Sequence, residues 1–216
     1  MSSIVLPGAA DELAPVSRAG AARIARARTE LARGRLVVLS DESECTLVLL
    51  GSAATTGALA QMIRDGSGLI FAAVARARLE ALRIPRMTPD GAPRTAQFHV
   101  AVDAADGVGT GISAADRAHT LRLLSNPAAT GTDFARPGHV IPVAGDLTPR
   151  LTPGTCELAL ALASLADPST PVAAYCALTS RTFPHLIADP DEGAQIAARD
   201  GMAFVDRDDV LGAIYR

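Results

Sequence analysis

Apolar residues recur along the chain in two rhythms. From Ser17 to Arg33 they return at helical spacing, with Ile24 and Leu31 seven apart on one face. Ser17 is placed to cap that helix and Gly34 to end it. Residues 36–39 and 47–50 are short apolar runs bounded by polar stretches, the pattern of buried strands. The same reading predicts helices over 56–64, 75–82, 113–124, 156–166, 193–199 and 208–214. It predicts strands over 68–74, 98–102, 140–143, 171–178 and 203–205. Ser113 with Asp116 three residues later reads as a capping box. Helices and strands mix along the whole length without a composition break or repeat. That predicts one α+β domain on a mixed sheet, over residues 18–216. Residues 1–17, broken by Pro7, Gly8 and Pro15, read as a loose N-terminal leader.

Composition narrows the function. The chain has 216 residues, 49% of them hydrophobic, enough to bury a core. All 20 positive side chains are arginine. Without lysine there is no Schiff-base aldolase, no self-contained pyridoxal phosphate (PLP) enzyme and no P-loop NTPase. Neither PLP nor a nucleotide cofactor is expected. An aromatic content of 3% and a net charge of -3 argue against a nucleic-acid partner. No apolar run approaches the ~20 residues that cross a bilayer. The N-terminus lacks a signal-peptide pattern, so no membrane association and a cytoplasmic location are expected. Cys45, Cys156 and Cys176 form no CxxC pair and read as reduced thiols.

Four polar stretches between apolar elements carry candidate chemistry. In Asp41-Glu42-Ser43-Glu44, an extended chain points Glu42 and Glu44 to one side. Such a pair suits Mg2+ or acid–base work, or is simply an acidic turn in solvent. Arg64-Asp65-Gly66-Ser67-Gly68 offers close backbone approach to a ligand, or a helix end leading into a strand. Thr110 and Ser113 stand at a helix start, where free N–H groups bind an anion or are merely capped. Arg136-Pro137-Gly138-His139 is expected as a rigid turn before the 140–143 strand, with His139 either a proton-transfer group or, as a lone His more often is, a structural residue.

Together these stretches resemble the 3,4-dihydroxy-2-butanone 4-phosphate synthase family of riboflavin biosynthesis. The resemblance rests on Thr110-Gly111-Ile112-Ser113-Ala114-Ala115-Asp116-Arg117 and on Arg136-Pro137-Gly138-His139-Val140-Ile141-Pro142. It is supported by residues 64–68 and by Gly201-Met202-Ala203-Phe204-Val205, in order across residues 18–214. It implies a mixed sheet in an α-β-α sandwich, and a homodimer with active sites near the subunit interface. It also implies Mg2+-dependent conversion of ribulose 5-phosphate to dihydroxybutanone phosphate and formate. On this basis His139 and Glu44 are the catalytic candidates. Arg64, Ser67, Thr110, Asp116, Arg136 and Thr155 are the substrate-binding candidates, and Glu42 is the metal candidate.

The chain departs from the family pattern at several positions. The family's acidic loop is longer, and counting back from the strand sets Asp41 where it has a substrate-binding Arg and Thr46 where it has an Asp. Thr152-Pro153-Gly154-Thr155-Cys156-Glu157 lacks the family's phosphate-binding Arg and its second metal ligand, a His. Ala177 stands for an essential Glu. These departures predict a repurposed lyase or isomerase acting on a small polyol or carbonyl substrate. The alternatives are a non-catalytic small-molecule-binding or partner subunit, and the parent reaction with Glu157 or Asp65 as substitute ligand. Cys45 and Cys156 are either nucleophiles near the pocket or small filler.

Overall fold

A computed structural model describes residues 17–88, 97–148 and 153–214. The expected leader, apart from Ser17, and Thr152 lie outside these residues. The first helix, α1 (Arg18–Ala32), starts where Ser17 accepts the Gly20 N–H at 3.0 Å, and Gly34 follows it at φ +69°. Strands β1 (Val37–Asp41) and β2 (Glu44–Leu50) come next, then α2 (Thr56–Asp65), β3 (Phe71–Ala75) and α3 (Arg76–Ala81). After them run β4 (Val102–Ala104), α4 (Ala114–Leu124), a single 3-10 turn (Gly131–Asp133) and β5 (Phe134–Gly145). The chain continues through α5 (Thr155–Ala166), β6 (Val172–Ala177), α6 (Pro190–Arg199), β7 (Ala203–Asp206) and α7 (Arg207–Ile214).

The strands form one mixed sheet in the order β4-β5-β3-β6-β2-β1-β7. Pairs β1–β7 and β3–β5 are parallel and the others antiparallel. Helices cover both faces. Val37, Leu39, Val48, Leu50, Ala173 and Val205 pack on one side with apolar residues of α1, α5 and α7. Val38, Leu47, Leu49, Val74 and Ala174 pack on the other with those of α2, α4 and α6. Both faces being buried explains why the strands read as continuous apolar runs rather than alternations. Each fully buried Leu contributes roughly 1.5–3 kcal/mol of transfer free energy. The α-β-α sandwich expected from the resemblance is what forms.

Three local expectations change. Residues 42 and 43 are not extended: they form the tight turn of the β1–β2 hairpin, with Glu42 at φ +52°. The pairing Asp41↔Glu44 closes that turn, so the alternation argument for Glu42 and Glu44 fails. Arg136 to His139 is not a turn before a strand but lies inside β5, which begins at Phe134. The strand expected over 98–102 is reduced to bridges at Phe98 and His99, and β4 starts at Val102.

Candidate active site

The sheet's register decides which side chains meet. The β4–β5 register shifts between Val102 and Asp103. A Cβ on Gly138 would lie 2.1 Å from the Val102 carbonyl carbon and 2.3 Å from the Asp103 amide nitrogen. Bare backbone at Gly138 therefore lets β5 approach this irregularity. It brings Asp103 against His139. The Asp103 carboxylate accepts the His139 backbone N–H at 2.9 Å and lies 2.7 Å from ring Nδ1. A carboxylate only accepts, so Nδ1 donates and Nε2 is left as the atom that can take or give a proton. Asp103 is 7% exposed, whereas the His139 side chain is 39% exposed. A held base with an accessible outer nitrogen can do proton transfer.

The loop before α4 supports this pair. Gly111 has φ +85°, and a Cβ there would fall 1.9 Å from Asp103 Oδ2 and 2.8 Å from His139 Nδ1. Its amide donates to Asp116 Oδ2 at 3.1 Å, and the Asp116 amide donates to Ser113 Oγ at 3.0 Å. Desolvation pushes the Asp116 carboxyl up, but hydrogen bonds from Gly109, Ser113 and Gly111 outweigh it and hold it below the usual range. Behind the pair, buried Arg117 donates to the Gly68 carbonyl at 3.2 Å, and burial lowers its pKa despite the neighbouring charge of Asp103.

A second group forms at the β1–β2 hairpin. Parallel pairing of Ser40 with Asp206 sets Asp41 beside Arg207, the first residue of α7. Arg207 Nη1 donates to Asp41 Oδ1 at 2.7 Å and lies 3.8 Å from Glu42 Oε1. Thr155, at the start of α5, donates to Asp41 Oδ2 at 3.0 Å. Glu44 is exposed at the head of β2, and Thr46 pairs with Ala177 of β6. Strands β3 and β6 separate β5 from β2. At roughly 4.8 Å per step, β5 with His139 is about 14 Å across the sheet from β2 with Glu44 and about 19 Å from β1 with Asp41. One chain does not bring Glu42 or Glu44 to His139.

The remaining candidates fall in several places. Arg64 lies exposed in the last turn of α2 and pairs with its neighbour Asp65 at 3.0 Å. Ser67 Oγ lies 3.3 Å from Cys176 Sγ, at the loop that bridges to Leu178. Thr110 is exposed in the bend ahead of α4. Arg136 donates to the carbonyls of Leu82, Gly131 and Phe134, which ties β5 to the end of α3. Burial pushes the Cys45 thiol up to about 11 and raises that of Cys156 further, so neither is a thiolate at neutral pH. They act as filler. Asp103 and Arg207 were not found from the sequence. Their partners lie 36 and 166 residues away, and only strand register joins them.

The hairpin does not fit the Mg2+ that the resemblance implies. A divalent cation needs free carboxylate oxygens. The metal candidate Glu42 sits on the turn at φ +52°, 76% exposed, with Oε1 3.8 Å from the Arg207 guanidinium, and both oxygens of its neighbour Asp41 already accept hydrogen bonds, one of them from that guanidinium. Among the described residues no three His, Cys, Asp or Glu side chains come together as a ligand group.

Comparison with known proteins bears on this arrangement. The family described as 3,4-dihydroxy-2-butanone 4-phosphate synthase matches residues 25–213. The 3,4-dihydroxy-2-butanone 4-phosphate synthase of Chromobacterium violaceum is 39% identical over 164 residues, covering 72% of this chain and 77% of that protein. Riboflavin biosynthesis protein RibBA of Mycobacterium ulcerans is 35% identical over 194 residues, covering 87% of this chain. The chain spans 45% of that relative's length. The crystal structure of the Candida albicans synthase superposes with TM-score 0.80 at 26% identity, covering 88% of this chain and 96% of that one. A synthase in complex with two magnesium ions gives TM-score 0.78 at 31% identity, covering 88% and 95%. The family match over residues 25–213 and the 39% identity to the Chromobacterium violaceum synthase over 72% of the chain agree with the shared fold, and the chain belongs to the 3,4-dihydroxy-2-butanone 4-phosphate synthase family.

Proposed function

We propose that the protein is an acid–base enzyme that acts on a small polyol or hydroxy-carbonyl substrate and does not release formate from ribulose 5-phosphate. The observation that carries this reading is the two-point hold of Asp103 on His139, whose side chain is 39% exposed. In the proposed step, Nε2 takes the proton from a carbon between a hydroxyl and a carbonyl. The C–H bond breaks and an N–H bond forms, the C–H electron pair becomes a C=C bond, and the carbonyl π pair moves onto oxygen to give an enediolate. Asp103 steadies the imidazolium that results. Return of the proton to the same carbon is an exchange, and its return to the neighbouring carbon, with the hydroxyl proton passing to the other oxygen, completes an isomerisation. The further steps of the parent reaction lack support here, because Ala177 carries no proton.

The pocket in this reading is shared between two copies of the chain. The ~14 Å between β5 and β2 is support for it, because a second copy can set its hairpin opposite His139. So is the apolar rim of the histidine. Leu69, two residues ahead of Phe71 as His139 is ahead of Ile141, is 50% exposed, and Ile112 is 52% exposed.

The test is proton NMR in D2O with dihydroxyacetone, erythrulose, ribulose and the corresponding phosphates. The expected result is deuterium entering next to the carbonyl, without formate, and loss of that exchange in His139→Gln. Formate from ribulose 5-phosphate would restore the parent reaction. Ligand-induced shifts without exchange on any substrate would make the chain a binding subunit.

A further inference from the structure

We propose that Arg207 is a built-in cation: its guanidinium holds the acidic hairpin at the charge position where a divalent ion would otherwise bind, so this chain takes no Mg2+ or Mn2+ there. Geometry carries the proposal. Arg207 Nη1 lies 2.7 Å from Asp41 Oδ1, a hydrogen-bonded ion pair, and 3.8 Å from Oε1 of the exposed Glu42, so its charge faces both carboxylates. The Thr155 hydroxyl occupies the other Asp41 oxygen at 3.0 Å. Arg207 and Asp41 are only 16% and 17% exposed at their side chains, so water screens this pair less than a surface pair.

The fold fixes the arginine in place by two independent devices. The first is register: β7 runs parallel to β1 with Ser40 opposite Asp206, and the next residue on each strand brings Asp41 and Arg207 together. The second is the start of α7. Asp206 Oδ1 accepts the Asp209 amide at 2.8 Å, and Asp209 Oδ2 accepts the Asp206 amide at 3.3 Å, a reciprocal cap. Both these aspartates also bind Arg23, so they are not competing partners for Arg207. Asp41 and Glu42 are its ion-pair partners among the described residues.

A guanidinium and a hydrated divalent ion do not share one pair of carboxylates. The planar group takes carboxylate oxygens in fixed directions, and its charge repels a dication at contact distance. A monocation on a rigid helix start also removes any dependence on free metal concentration. The structure therefore assigns Arg207 as the residue that makes this hairpin metal-independent. Removing it should uncover a cation site formed by Asp41 and Glu42.

The experiment reads metal occupancy and needs no turnover, so its outcome is separate from that of the proton-transfer reading. Mn2+ is titrated into the full chain and followed by electron paramagnetic resonance of the free ion. Wild type is compared with Arg207→Ala, Arg207→Gln and the double variant Arg207→Ala with Asp41→Asn, each checked for native circular dichroism. The expected result is no stoichiometric binding in wild type and at least a tenfold gain in affinity in whichever single variant is folded. The double variant should lose that gain. One Mn2+ per wild-type chain, lost on Asp41→Asn, would overturn the proposal. So would folded single variants that gain nothing, or single variants that both fail to fold, since Arg207 would then be a structural pair.

Discussion

The Asp103 carboxylate accepts both the backbone N–H and the ring Nδ1–H of His139, at 2.9 and 2.7 Å. Binding the main chain fixes where the residue is. Binding the ring fixes which nitrogen faces outward. A single aspartate, 7% exposed, thus sets both position and tautomer of the one histidine in β5.

Asp103→Asn tests that pairing. Asparagine keeps the shape but loses the charge that stabilises an imidazolium. Hydrogen bonds to charged groups contribute about 1.5–3 kcal/mol, which is roughly a 10- to 150-fold loss of rate. Deuterium exchange on the best substrate should slow by that factor with KM little changed. An equal rate in the variant would remove Asp103 from the mechanism.

Gly111→Ala should disturb the same pair from above. The new Cβ would meet Asp103 Oδ2 at 1.9 Å, on a residue at φ +85°. A side chain in that backbone region costs of order 1–3 kcal/mol before the clash is counted. The melting temperature should fall, and the His139 ring resonances should move in a histidine-selective NMR spectrum. Unmoved resonances at full stability would show that the loop can yield.

Much of this architecture was legible in the chain because its signals are local. Ser17, Gly34, Ser113 and the apolar runs mark element ends and buried strands whatever the topology. The site was legible only in part. His139 stood in a recognisable motif, but Asp103 gave no signal, because its role depends on a register shift in β4–β5. Arg207 was hidden likewise, since parallel pairing of β1 with β7 creates its contact. The reading of Glu42 and Glu44 as one face failed because a two-residue turn, not an extended chain, joins β1 to β2.

Arg23 and Asp209 make the most buried ion pair at the α1–α7 contact. Nε and Nη2 of Arg23 each lie 2.6 Å from an Asp209 oxygen, and the Asp209 side chain is 4% exposed. Arg23→Ala leaves that carboxylate buried without its cation. Losing one partner of a fully buried pair costs about 3–5 kcal/mol. Arg23 is 40% exposed, so water reaches the site and the expected cost is nearer 2 kcal/mol. Urea denaturation at neutral pH measures it, and Asp209→Asn paired with Arg23→Ala should recover part of the loss.

His99 supplies the pH dependence. It is 4% exposed, with Nδ1 2.9 Å from the Gln97 carbonyl. Burial lowers its pKa below the ordinary value. The Gln97 carbonyl and Glu80 oppose this, while Arg86 and Arg76 add to it. The neutral ring is therefore favoured in the fold, and the unfolded chain takes the proton first as pH falls. Its contribution to stability is full above about pH 6.5, the unfolded value. It declines as pH drops through the lower folded value and then levels off. His99→Gln has no such titration. The stability advantage of wild type over this variant, from urea unfolding at pH 7.5, 6 and 5, should shrink steadily toward acid. A constant difference across that range would mean that His99 is as easily protonated in the fold as outside it.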